Sequence, residues 1–86
     1  MVKVEIYTKK TCSYCVRAKQ LFDQKGVKYT EIKVDEDPKD LEMMLLRAEG
    51  RRTVPQIFIN DRGIGGCDDL YELEHAKKLD LLLGTH

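Results

Sequence analysis

Val2, Val4 and Ile6 alternate with Lys3 and Glu5 at the start of the chain, the period of a strand that buries one face. The period then changes. Cys15, Ala18, Leu21 and Phe22 recur at helical spacing and share one face. Gly26 stands where a left-handed residue ends such a helix. Residues 27–34 (VKYTEIKV) are rich in β-branched and aromatic side chains and predict a second strand, its alternation slipping phase near Glu31. Asp37-Pro38 predicts a helix start, a capping acid followed by proline at the first helical position. Leu41, Met44, Leu45 and Ala48 form that helix's apolar stripe, and Gly50 closes it. Gln56–Ile59 predicts a short strand, and Asn60-Asp61 a two-residue hairpin turn into a fourth strand over Arg62–Gly65. Asp68 or Asp69 caps a third helix carrying Leu70, Leu73 and Ala76, and a final turn over Leu79–Leu83 docks on the core.

The order βαβαββα implies parallel pairing through right-handed crossovers with an antiparallel hairpin at one edge. One mixed four-stranded sheet with helices on both faces, an α/β fold, fits 86 residues folded as a single domain over 1–86. Fifteen basic residues balance fifteen acidic ones, so the net charge points to neither nucleic acid nor an anionic membrane as partner. The opening MVKVEIY lacks a positive segment followed by a long apolar run, so no signal peptide is expected. No apolar stretch is long enough to span a bilayer. Three cysteines, an odd number, do not make the disulfide framework of a small secreted protein, which leaves the cytoplasm as the expected setting.

The candidate chemistry lies at Cys12-Ser13-Tyr14-Cys15, a C-x-x-C where a strand ends and a helix begins. Unpaired N–H groups and the macrodipole at that helix end favour an anion. Lys9, Lys10, Arg17 and Lys19 make the neighbourhood positive. Both effects lower the Cys12 pKa below the free value of about 8.5, and the thiolate is the attacking species. Cys15, one turn on and on the apolar face, is expected to be more buried and less ionised. Cys12 therefore attacks and Cys15 resolves. The competing reading is half of a zinc site completed by Cys67 with His75 or His86, but the second closely spaced ligand pair usual in such sites is missing.

Two further segments bear on the same site. Thr53-Val54-Pro55 precedes the third strand, where a proline breaks no ladder bond. Gly65-Gly66-Cys67-Asp68-Asp69 follows at a hairpin's distance, and glycines before a helix let a ligand carboxylate approach backbone N–H groups. With the Lys9 ammonium and the Asp68 carboxylate, these segments describe a groove for a small zwitterionic thiol peptide beside a reactive cysteine.

The segments TKKTCSYC, RTVPQIFIN and IGGCDDL resemble, in order and spacing, the three signatures of the glutaredoxins, and most closely those of the short bacterial dithiol members. The resemblance covers nearly the whole chain. It implies a thioredoxin-like fold with Pro55 in the cis form facing the cysteines, and a glutathione-dependent thiol–disulfide oxidoreductase. By the same resemblance Cys12 is the nucleophile and Cys15 its resolving partner. Lys9 and Tyr14 line the glutathione groove, Thr53, Val54 and Pro55 meet glutathione's cysteine, and Gly66, Cys67 and Asp68 hold its γ-glutamyl end. Arg47, Arg51 and Arg52 are alternatives for the glycyl carboxylate. Glutathione is then a reducing co-substrate rather than a bound cofactor, the partners are disulfide-containing or glutathionylated proteins, and the chain acts as a monomer.

Ser13 departs from the proline that many dithiol members carry, which leaves the Cys12 pKa and the redox potential open. Serine there also occurs in members that assemble iron–sulfur clusters with glutathione, so a cluster carrier is one rival reading. A thioredoxin-like reductant fed by a flavoprotein reductase is another. Cys67 is either a small apolar residue whose backbone binds or a third redox-active thiol. His75 and His86 are read as solvated, and Asp35-Glu36-Asp37 as a solvated loop plus cap.

Overall fold

In the computed structural model, which describes residues 2–84, the chain runs β1 (Val4–Thr8), α1 (Ser13–Gln24), β2 (Thr30–Lys33), α2 (Pro38–Arg47), β3 (Gln56–Ile59), β4 (Arg62–Gly65), α3 (Cys67–His75) and α4 (Leu79–Leu83). The sheet order is β2-β1-β3-β4. β1 pairs in parallel with β2 and antiparallel with β3, and β3 pairs antiparallel with β4, as the element order implies. Thr85 and His86 lie outside the described residues, so the reading of His86 has no counterpart in the structure.

The two faces of the sheet bury separate apolar clusters. On one, Val4, Ile6, Ile57 and Ile59 meet Ala18, Leu21 and Phe22 of α1, Leu70 of α3, and Leu79 and Leu83 of α4. On the other, Tyr7 and Phe58 meet Met44 of α2 and Val34. The central strands are thus covered on both sides, which is why β3 is buried at all four positions.

Local chemistry sets most boundaries. At the end of α1, Gly26 adopts φ +69°, the Gly26 N–H donates to the Asp23 carbonyl, and the Val27 N–H donates to that of Phe22. This is the two-bond Schellman closure. Asp37 caps α2, its carboxylate accepting the Lys39 N–H at 2.9 Å, with Pro38 in the first turn. Asn60 and Asp61 both take left-handed conformations, φ +51° and +67°, the requirement of a type I′ hairpin turn.

Four sequence expectations are corrected. β1 begins at Val4 and runs on to Thr8, because Lys3 pairs with Asn60 of the hairpin turn rather than with a ladder partner. β2 covers only four residues, since Val27 is held by the Schellman closure. The left-handed reversal after α2 is shared by Glu49 (φ +56°) with Gly50. Finally, α3 is capped by neither Asp68 nor Asp69. Its N-cap is Gly66, Asp69 reaches back from the third position, and Ala76 is an exposed C-cap outside the apolar stripe.

Candidate active site

Cys12 is the N-cap of α1. Its backbone is extended (φ −141°, ψ 104°), and its Sγ accepts the N–H of Cys15 at 3.1 Å. Capping is the usual work of Ser, Thr or Asp; here a sulfur takes the helix-end N–H, which favours negative charge on that atom. Cys12 and Cys15 form a disulfide, their Cα atoms 5.2 Å apart. Cys12 is half-buried, whereas Cys15 is 1% exposed on the core face of α1. Accessible and inaccessible sulfurs are thereby distinguished, as the helical spacing implies.

The four cations near the motif do not act alike. Lys9 and Lys10 are exposed in the loop between β1 and Cys12. Arg17 lies over the Tyr71 ring, 5.5 Å from its centroid. Lys19, in contrast, is paired with Glu31 at 2.9 Å, so its charge is compensated there. Glu31 also accepts the Thr8 hydroxyl at 2.7 Å. Its carboxyl is held below the ordinary range by the Lys19 hydrogen bond and that of Thr8, with burial acting in the opposite sense.

The second wall comes from the segment before β3. The Val54–Pro55 peptide bond is cis. The Val54 carbonyl oxygen lies 3.8 Å from the Cys12 sulfur, which puts this turn directly against that atom. Thr53 is exposed, Val54 half-buried and Pro55 buried. Gln56 donates from Nε2 to the Thr53 carbonyl at 2.9 Å and to the Thr53 hydroxyl at 3.1 Å.

The third wall is the start of α3. A Cβ built on Gly66 would lie 3.4 Å from the Pro55 carbonyl oxygen, so the helix end abuts the proline turn. The Gly66 N–H donates to the Asp69 carboxylate at 2.9 Å. Gly65 has φ +112°, and any Cβ there would collide with that carboxylate. Cys67 is buried and Asp68 exposed in the first turn. Burial pushes the Cys67 thiol up, with Arg17 opposing that and Asp68 adding to it.

The structure thus brings Cys12, Cys15, Val54, Pro55, Gly66 and Cys67 together, with Lys9, Tyr14, Thr53 and Asp68 on exposed positions of the same three segments. Of the three arginines, Arg47 is committed elsewhere. Its guanidinium forks onto Glu5 at 2.9 and 3.1 Å, donates to the Tyr7 hydroxyl at 3.0 Å, and lies 4.0 Å from the Phe58 ring centroid. Arg51 is 3.8 Å from Asp69 beside the start of α3, and Arg52 is exposed.

His75 ends α3, eight residues from Cys67, which separates the two by roughly 12 Å along the helix axis. They cannot serve one zinc ion from the same straight helix.

Three supporting residues were not evident from sequence. Asp35 accepts the Lys10 N–H at 3.0 Å, so this acid tethers the loop leading to Cys12 and is not merely solvated. Nothing in an acidic run marks one member as a tether. Asp69 looked equivalent to Asp68. Gln56 did carry a signal, a polar residue opening an otherwise apolar strand.

A family model described as glutaredoxin matches residues 4–64. A probable glutaredoxin of Synechocystis sp. is 60% identical over 83 residues, covering 96% of this chain and 76% of that protein. Glutaredoxin 3 of Escherichia coli is 54% identical over 83 residues, covering 96% and 99% respectively. Among solved structures, a crystal structure of a buckwheat glutaredoxin–glutathione complex superposes with a TM-score of 0.86 at 38% identity, covering 96% of this chain and 77% of the other.

Proposed function

The chain belongs to the glutaredoxin family, the glutathione-dependent thiol–disulfide oxidoreductases, and from that premise we propose that Cys12 is its nucleophile, Cys15 its resolving thiol and glutathione its electron donor. The observation that carries the reading is the Cys15 N–H donated to the Cys12 sulfur beside the Val54 carbonyl. It holds an anion-stabilising donor and a peptide backbone against one accessible sulfur.

Two modes follow. With a glutathione mixed disulfide, the Cys12 thiolate attacks the glutathionyl sulfur, the substrate leaves as a thiolate, and Cys12–glutathione forms. A second glutathione thiolate attacks the glutathionyl sulfur of that disulfide, releasing oxidised glutathione and the Cys12 thiolate. With a protein disulfide, Cys12 forms a mixed disulfide with one substrate sulfur while the other departs. Cys15 then attacks the Cys12 sulfur, expels the substrate and leaves the Cys12–Cys15 disulfide, which two glutathiones reduce.

The groove reading is supported by the three walls. Thr53, Val54 and Pro55 present backbone to the glutathione cysteine. Because Asp69 occupies the Gly66 N–H, the first-turn N–H groups of Cys67 and Asp68 are the donors for the γ-glutamyl carboxylate. The Asp68 carboxylate meets the γ-glutamyl amine, and Lys9 and Tyr14 close the other side. Arg51 and Arg52 remain for the glycyl carboxylate, Arg47 being engaged by Glu5. We further take the chain to work as one domain and one monomer in the glutathione-rich cytoplasm, on glutathionylated or disulfide-bonded proteins.

The test is a disulfide-reduction assay with glutathione as sole donor. Cys12→Ser should abolish both modes, and Cys15→Ser should keep deglutathionylation while losing turnover of protein disulfides. Substantial glutathione-dependent reduction of a small mixed disulfide by Cys12→Ser would overturn the assignment.

A further inference from the structure

We propose that Gln56 is a positioning residue that gives this site its preference for the glutathionyl group, by holding Thr53 and so the backbone of Val54. The proposal rests on the glutathione reading above. Among the described residues only two polar side chains are fully buried, Thr8 and Gln56. Thr8 donates to Glu31. Gln56 opens β3 on the same face as Phe58, opposite Tyr7 of β1, and is 2% exposed.

Burying an amide is unfavourable unless its hydrogen bonds are made, and methionine of similar volume would fill the space without that demand. The amide therefore needs an explanation beyond packing. Both Nε2 bonds go to one residue, Thr53, at its carbonyl and its hydroxyl. The carbonyl can only accept, so the amide is oriented without ambiguity. Residues 51–55 belong to no helix or strand, and Thr53 itself is exposed. Gln56 thus ties a segment outside the helices and strands to β3, one residue before the carbonyl that lies 3.8 Å from the Cys12 sulfur. A backbone that must pair with a peptide ligand is bound more tightly when it is already fixed in place. The Cys12 cap, by contrast, is built within α1 and does not involve this tie.

The test compares wild type with Gln56→Met and Thr53→Val on two substrates, a glutathionylated peptide and the same peptide joined to cysteamine. Deleting the tie in Gln56→Met should raise KM for the glutathionylated peptide roughly fivefold with kcat held, and leave the cysteamine disulfide unaffected. The rate of Cys12 alkylation by iodoacetamide should not move. Thr53→Val, at an exposed position, removes one of the two bonds and should raise the same KM about twofold. A KM unchanged in both variants, or an equal loss on both substrates, overturns the assignment. Should Gln56→Met fail to unfold cooperatively, Thr53→Val decides, and an unchanged KM there is sufficient to reject it. A wild type that does not distinguish the two disulfides overturns the glutathione reading and the assignment with it, whereas a discriminating wild type with unaltered variants overturns the assignment alone.

Discussion

The backbone N–H of Cys15 donates to the sulfur of Cys12 across 3.1 Å, so Cys15 supplies the cap that favours negative charge on Cys12. The donor belongs to the main chain, not to the thiol. Cys15→Ser should therefore leave the reactivity of the Cys12 sulfur in the reduced protein close to its wild-type value. The pH dependence of iodoacetamide alkylation in the reduced protein measures it, and a value equal to that of a free peptide cysteine would refute the capping argument.

Cys67 should behave in the opposite way. Burial raises its thiol pKa and removes it from solvent. Limited alkylation of the reduced native protein at neutral pH, read by mass spectrometry, should label Cys12 and spare Cys67 until the chain is unfolded. Rapid labelling of Cys67 in the native state would contradict its placement.

Arg47 is a strut rather than a ligand. It joins the end of α2 to Glu5 and Tyr7 through three part-buried hydrogen bonds, two of which make the forked ion pair with Glu5. Arg47→Ala leaves the part-buried Glu5 carboxylate with Lys3, 3.9 Å away, in place of the fork, and should reduce stability by about 2 kcal/mol, or roughly 10 °C in Tm for a chain of this size. Arg47→Lys should recover only part of that, since an ammonium cannot fork. KM for a glutathionylated substrate should stay at its wild-type value in both variants.

Glu31 links folding to pH. Its carboxyl lies below its ordinary value near 4.5, mainly through the Lys19 hydrogen bond, with Thr8 assisting against burial. The native state therefore binds this proton less tightly than the unfolded chain. The stabilisation is complete above the ordinary value and is lost as pH falls through the lowered native one. Glu31→Gln should be less stable than wild type at pH 7, with the gap closing as the solution is acidified below 4.5. Urea unfolding at a series of pH values checks this, and a gap independent of pH would count against it.

Gly65 is required by its neighbour's carboxylate. At φ +112° a side chain is strained, and its Cβ would displace the Asp69 group that holds the Gly66 N–H. Gly65→Ala should cost about 2 kcal/mol and also raise KM for glutathionylated substrate, because the start of α3 shifts. Gly63→Ala is the control. Its Cβ would come 3.4 Å from a Phe58 ring carbon, with no left-handed strain, and the loss should be distinctly smaller.

What the sequence by itself determined was whatever a few neighbouring residues decide. Asp37-Pro38 capped α2 and Asn60-Asp61 turned the hairpin because those effects act within three or four positions. The C-x-x-C spacing put one sulfur at the helix end and the other on the core face for the same reason. Tertiary structure decided whatever depends on partners far apart in the chain. Arg47 and Glu5 are 42 residues apart, as are Cys12 and Val54, and Lys10 and Asp35 are 25 apart. No local pattern distinguishes a ligand-binding arginine from one that braces a sheet, or a tethering aspartate from a solvated one. The choice between Gly66 and the two aspartates as cap likewise needed Gly65 turned to φ +112°, which places the Asp69 carboxylate, and not its own backbone, at the head of the helix.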